Sequence, residues 1–426
     1  MTALNYRTRQ APSKGGTLNR IALFGLFYSA AFAFFYIEPV KLGPINFASF
    51  WKIVAFAFVF ILVIMLRRYQ FIPKVALFGI LFAGVSLLNP SLFMAPAETV
   101  SEALKYLYVP LIFTVLYGLH RKHNFTSETL LYFATHVSIF IAISGIPFVV
   151  GALEPIASKG GYDLSIFGLE GIGFNGIFFH SHGASIVMGT AAIVLIWAAK
   201  HSSKPSASAF FVFLAVFALY CVVQTYARTG YALAAFGVVL VIYYPFRAVK
   251  LLAITPLAII AVFFTASAVI DNEALMMRLQ GKNIYTIASG SGDLTSGRTR
   301  FWVGAVDSFV DSPPREWAFG AGPYLGKERM RERVNLRISA HNDFINALLF
   351  SGIVGLVLYL VFTFYLIRVA WRVRRNPLAG DLTIALVGSY LVQMVLQGER
   401  MFLSELILVL VIFGAAIGSG SISKET

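Results

Sequence analysis

Long apolar runs broken by short polar segments set the pattern of this chain. A helix that crosses a bilayer needs about 20 mainly apolar residues. Twelve runs approach that length: 20–37, 51–66, 74–89, 103–118, 129–150, 183–199, 208–226, 229–246, 250–270, 343–367, 380–397 and 401–418. The pattern predicts an all-α protein, a polytopic transmembrane helical bundle of about 12 spans. Residues 1–270 would carry spans one to nine, and 271–342 one long extracytoplasmic (periplasmic) loop containing short helices. Residues 343–426 would carry spans ten to twelve and a short cytoplasmic tail.

Composition removes the soluble alternatives. Hydrophobic residues make up 58% of the chain and charged ones 13%, with a mean hydropathy of +0.76. Soluble domains run near ~45–50% apolar and ~25% charged, so the excess is more than one buried core absorbs. The 40 phenylalanines are spread along the chain, which makes the excess general. Disorder, a coiled coil, a disulfide scaffold and an ordinary cytosolic enzyme are excluded. The single cysteine, Cys221, lies inside an apolar run and can form no intramolecular disulfide.

A net charge of +14 would suggest nucleic acid on a soluble chain. Here the basic residues mostly occupy the breaks between apolar runs, where they set orientation. Alternating the spans from a cytoplasmic N-terminus puts 18 of the 34 Lys and Arg in inside segments and 6 in short outside ones. The other ten fall in 271–342, and long loops translocate largely regardless of charge. Both termini are therefore expected to be cytoplasmic and the long loop external. Arg368, Arg372, Arg374 and Arg375 form an expected inside anchor on anionic lipid. Ala31-Phe32-Ala33 has the look of a signal-cleavage site, but the apolar run continues past it and eleven further spans need no cleaved leader.

Transport is the weaker functional class. No internal repeat is evident, and ionisable residues within the spans are few. His136, flanked by Thr135 and Ser138, is expected to be packed and hydrogen-bonded. Glu405 lies near the outer end of the last span. A proton-coupled pump would show more such groups.

The polar chemistry gathers outside, in segments 168–185, 224–231 and 289–352. Within the second, Arg228 has no carboxylate adjacent in sequence. It is either a snorkelling anchor or a ligand for phosphate, whose oxygens the guanidinium fork matches. The third segment contains Ser296-Gly297-Arg298-Thr299-Arg300-Phe301-Trp302, with a helical stripe at Phe301, Trp302, Ala305, Val306 and Phe309 that Pro313-Pro314 stops. Such a helix would direct Arg298 and Arg300 toward an interfacial site. The 327–337 stretch alternates charge sign at helical spacing, as a solvated face does; guiding an anionic saccharide is the alternative. Gly352 and Gly355 read as a close helix contact. In 168–185, the spacing of Gly171, Gly173 and Gly176 matches a dinucleotide fingerprint only superficially, since no strand precedes it. His180 and His182 lack a well-placed third ligand, so no metal site is expected.

The ordered set Ser296-Gly297-Arg298, Trp302, Pro314, Gly320-Ala321-Gly322, His341-Asn342 and Gly352-Ile353-Val354-Gly355 resembles the O-antigen ligase/polymerase superfamily of bacterial membrane glycosyltransferases. Arg228-Thr229-Gly230 and Gly173-Phe174-Asn175-Gly176 are similar to their counterparts there. The resemblance implies a metal-independent, inverting glycosyltransferase with no cofactor, acting at the outer face of the bacterial inner (plasma) membrane. Its donor would be a glycan on polyprenyl (undecaprenyl) diphosphate. The family's two arginines carry over to Arg228 and Arg298, on the diphosphate, and its histidine to His341, at the acceptor hydroxyl. Arg300, Arg337 and Asn342 are candidate substrate-binding residues beside them. One departure is His182, where relatives often carry Asn after Pro. The chemistry agrees with this assignment: fixed cations stabilise a diphosphate leaving group, and histidine suits a general base near neutral pH.

The expected function is a polymerase that joins repeat units of an exopolysaccharide, capsule or O-antigen onto a lipid-linked acceptor glycan. A ligase passing the glycan to lipid A core is the runner-up; a lipid-linked-oligosaccharide flippase or other transporter and a scaffold subunit are the rivals from other classes. Expected partners are the lipid-linked oligosaccharide, the acceptor glycan, the bilayer, and a chain-length regulator with a flippase; nucleic acid is not among them.

Overall fold

The structure is a computed structural model that describes residues 16–32, 41–42, 45–69, 72–123, 126–154, 173–178, 180–244, 298–398 and 400–420. The ninth expected span, 250–270, and the 271–297 part of the outer loop lie outside the described residues. Each of the other eleven expected spans overlaps a helix. The elements begin with α1 (Gly16–Phe32), a two-residue antiparallel pairing of β1 (Lys41–Leu42) with β2 (Ile45–Asn46), and α2 (Phe47–Met65). There follow α3 (Lys74–Val85), α4 (Ser91–Met94), α5 (Pro96–His123), α6 (Ser127–Ser144), α7 (Ile146–Val149), α8 (Ser181–His201), α9 (Pro205–Gln224) and α10 (Arg228–Tyr243). The outer segment supplies α11 (Arg298–Val310), α12 (Pro314–Phe319) and α13 (Gly322–Val334). The last helices are α14 (Asp343–Val373), α15 (Gly380–Leu396) and α16 (Phe402–Gly418).

Among the described residues five helices are long and apolar enough to cross a membrane: Pro96–Lys122, Ser127–Val149, Ser181–His201, Pro205–Gln224 and Asp343–Val373. Five shorter apolar helices accompany them, among them Arg228–Tyr243, Gly380–Leu396 and Phe402–Gly418. Apolar content alone does not say which helix is interior. α9 turns Phe213 and Val216 outward, both at least 60% exposed, as a lipid-facing helix would. In α16, residues 402–416 are all buried, and the helix packs against α5, α6, α8, α14 and α15. A helix apolar all round belongs in the interior, and α16 is the core around which the others pack.

The outer helices are fastened to α14. Phe301 and Ala305 of α11 join Met330 and Val334 of α13 and Leu349 and Phe350 of α14 in a small second core. This is the expected stripe, narrowed: Val306 is 40% exposed. α14 is broken at Gly352, whose φ of +68° and ψ of −167° lie outside the helical region. The Ala318 carbonyl would stand 2.4 Å from any Cβ placed on Gly352, and the Phe350 carbonyl carbon 2.2 Å from one placed on Gly320. Ala321 N–H donates to the Leu349 carbonyl at 3.0 Å across this joint. Gly352 thus marks a kink where the α12–α13 turn seats backbone on backbone, and the expected helix–helix contact is corrected to that.

Charges on α13 and the residues after it are matched by acids. Lys327 pairs with Glu98 (2.8 Å), Arg329 with Glu316 (2.6 Å), Arg331 with Glu328 (2.8 Å) and Arg333 with Asp311. Arg337 bridges Glu98 (2.8 Å) and Glu328 (2.6 Å). His136 departs from its expectation. Its Nδ1 lies 2.7 Å from the Tyr132 carbonyl, but the residue is exposed on the outer surface of α6.

Candidate active site

The polar residues at one end of the bundle come from the starts of α8, α10, α11, α14 and α16 and the end of α15. Arg228 opens α10, directly after Tyr226, whose φ is +54°, and the N-cap residue Ala227. This turn is held from the side by the glycine segment: Phe174 N–H donates to the Gln224 carbonyl at 2.8 Å. A Cβ on Gly173 would sit 3.2 Å from the Thr225 carbonyl. At Gly230, one turn on, it would meet the Ser185 side chain of α8 at 2.2 Å. The 173–178 part of the first polar segment, 168–185, therefore buttresses the Arg228 turn. His180 starts α8, its Nδ1 accepting the Gly183 N–H at 3.0 Å, and its ring lies 6.1 Å from that of His182. The 168–172 part of that segment lies outside the described residues.

Arg298 reaches the same turn. Its Nη1 donates to Thr229 Oγ1 at 3.0 Å and its Nη2 to Gln397 Oε1 at 2.9 Å; Thr229 in turn donates to Gln397 at 3.2 Å. Thr229 and Gln397 are 2% and 1% exposed, so this triangle is interior, while both arginines are half-buried. One helical turn beyond Arg298, the Phe301 ring lies 6.1 Å from the His341 ring.

His341 projects from a tight turn with φ of +51°. Non-glycine residues in that region cost about 1–3 kcal/mol and persist only where the surroundings enforce them. Enforcement is visible on both sides. Ala340 N–H donates to Asn346 Oδ1 at 2.9 Å, and Asn342 caps α14 by accepting from Phe344 N–H (2.9 Å) and Ile345 N–H (3.1 Å). Gly398, with φ of +61°, packs on this turn: a Cβ there would lie 2.9 Å from Asn342 N and 3.2 Å from the His341 carbonyl carbon. Gln397 and Gly398 thus link the Arg228–Arg298 pair to His341. The starts of α10 and α14 each contact the Gln397–Gly398 turn.

The supporting candidates are engaged within the protein. Arg300 is exposed and donates to the Val334 carbonyl at 3.0 Å. Arg337, held by its two carboxylates, also stacks over the Tyr324 ring at 5.2 Å. Asn342 uses its oxygen as the helix cap of α14.

Two features were missed from sequence. One is Gln397. The other is Arg400, which sits 2.9 Å from Asp343 Oδ2 and 3.1 Å from Glu405 Oε1, all three side chains 4% exposed or less. Arg400 also donates to the hydroxyls of Tyr359 and Tyr390 and lies over the Tyr106 ring at 4.8 Å. Glu405, an acid within an apolar helix, was the available signal, because a buried carboxylate demands a cation and Arg400 stands five residues before it.

These helices define a multi-pass membrane protein with its polar cluster at one end of the bundle. Residues 213–360 match the model of a family described as O-antigen ligase. The match over that segment supports ligase/polymerase-type activity on lipid-linked glycans in general. No curated protein matches the chain. The matched segment contains Arg228, Arg298, Arg300, Arg337, His341 and Asn342, and leaves out Gln397 and Arg400.

Proposed function

We propose that the chain is a polysaccharide polymerase, a metal-independent inverting glycosyltransferase that moves a glycan from undecaprenyl diphosphate to a lipid-linked acceptor glycan at the outer face of the inner membrane. The observation that carries this is the contact chain Arg228–Thr229–Arg298–Gln397–Gly398–His341, assembled from segments far apart in sequence within and beside the family-matched region. Arg228 and Arg298 bind the diphosphate and stabilise the negative charge that grows on it. The acceptor hydroxyl attacks the anomeric carbon from the opposite side. The carbon–oxygen bond to the diphosphate breaks, the leaving group takes the electron pair, and His341 takes the hydroxyl proton. A single displacement inverts the anomeric centre.

Polymerase is favoured over ligase by the pairing around α13. Each basic residue of 327–337 is matched to a carboxylate, so this face suits an uncharged glycan better than a phosphorylated lipid A core. Purified full-length protein given only lipid-linked repeat units in excess EDTA should yield a ladder of longer lipid-linked chains. His341→Ala, recovered in folded form, should yield none. A product that forms only after lipid A core is added would make the chain a ligase, and activity lost to EDTA but restored by a divalent ion would end the metal-free mechanism. Orientation is tested with Glu332→Cys in a Cys221→Ser background, since residue 332 is exposed. An impermeant thiol reagent should label it in intact spheroplasts; labelling only after lysis reverses the orientation.

A further inference from the structure

Gln397 is 1% exposed, and its amide orientation is fixed by its neighbours. A guanidinium only donates, so the amide atom 2.9 Å from Arg298 Nη2 must be the oxygen. The Thr229 hydroxyl fits the same assignment, donating to that oxygen at 3.2 Å. The other edge of the amide is then an N–H2 group. That nitrogen is buried and has no hydrogen-bond acceptor among the described residues. Turning the amide over would let N–H2 donate to the Thr229 hydroxyl but would set it against the Arg298 N–H groups and remove the acceptor that Arg298 uses. Buried donors are nearly always satisfied, so this one points to an acceptor that arrives with a ligand. Because both amide atoms share one carbon, the donor stands beside the Arg298 fork.

We propose that Gln397 is a ligand of the donor's diphosphate: its oxygen orients Arg298 and Thr229 while its N–H2 donates to a phosphate oxygen. The proposal rests on the function proposed above and extends the site beyond the family-matched segment, which ends at residue 360, to the α15–α16 turn. It explains why an amide stands here and not a carboxylate. A carboxylate would also accept from Arg298 and Thr229, but it would cancel the guanidinium charge and turn an acceptor toward the anion.

Two variants separate binding from scaffolding: Gln397→Glu keeps the oxygen that Arg298 needs, and Gln397→Met removes both polar atoms. Binding of geranylgeranyl diphosphate, a short polyprenyl diphosphate, is measured on the full-length protein in detergent, with thermal unfolding recorded for each form. The unaltered chain should bind, and both variants should bind about tenfold more weakly or worse, the worth of a lost hydrogen bond to a charged group. Gln397→Glu should unfold no earlier than the parent. Binding by folded Gln397→Glu equal to the parent's overturns the proposal, because the oxygen alone would then suffice. If Gln397→Glu does not fold, Gln397→Met decides by the same comparison, with undiminished binding overturning the proposal. Failure of the unaltered chain to bind the probe removes the diphosphate reading of the whole site. Parent binding with unaffected variants removes only the role of Gln397.

Discussion

Arg400 and Arg298 occupy the same end of the bundle and face opposite company. Arg400 sits between two carboxylates, Asp343 and Glu405, under three tyrosine rings, and is almost fully buried. Arg298 donates to two neutral oxygens, on Thr229 and Gln397, and is half-buried. Carboxylates match the charge of a guanidinium, whereas the neutral acceptors on Thr229 and Gln397 fix its direction. The first arrangement is a fastening: it ties the start of α14 to the start of α16, two residues from His341 on one side and two from Gly398 on the other. The second orients a guanidinium at the start of α11. Both arginines open or precede a helix, and burial and these partners distinguish them.

That contrast breaks most easily at Arg400. Arg400→Met strands Asp343 and Glu405 in the interior, and removing one member of a buried ion cluster costs about 3–5 kcal/mol. The expected result is a large fall in thermal stability and in the yield of folded protein, read by calorimetry and size exclusion. The next effect in size lies at Arg298. Arg298→Met should lower turnover by about 10²–10³-fold, as loss of one donor to a developing anion does. Its unfolding free energy should change by no more than about 1.5 kcal/mol, the worth of an ordinary hydrogen bond. Single-turnover rates and melting curves on the same preparation test both halves. Equal destabilisation by the two substitutions would dissolve the distinction. The smallest effect belongs to Arg337, whose side chain is 38% exposed in its bridge between Glu98 and Glu328. Arg337→Ala should shift stability by about 1 kcal/mol or less and leave the rate of glycan transfer unchanged. A deep loss of activity would mark Arg337 as a substrate contact after all.

The helices were legible because apolar runs report their own length, and eleven of the expected spans overlap helices in the described part. Arg228, Arg298 and His341 were named from the resemblance of the motifs that carry them to the O-antigen ligase/polymerase superfamily. What the sequence hid is pairing at a distance. Gln397 meets Thr229 across 168 positions and Arg298 across 99. An uncharged amide at the end of an apolar helix carries no signal of either contact. Arg400 looked like one more basic residue of a short outer turn, since its burial depends on how α14, α15 and α16 pack. The capping of α14 by Asn342 is a local feature written in Asn342-Asp343-Phe344, and a cap competes with any substrate for the same oxygen.

The joint between Gly320 and Gly352 has a consequence for how this chain tolerates change. Each glycine has a positive φ, and each lies where an added methyl carbon would press into the other segment's backbone. A saturation library selected for polysaccharide output would find both positions as intolerant as Arg298 or His341. The same library sorted for folded protein at the cell surface would separate them. Substitutions at Gly320 and Gly352 would vanish from the sorted pool, and those at Arg298 and His341 would remain. Invariance in this chain therefore comes in two kinds, and the glycine kind carries no chemistry.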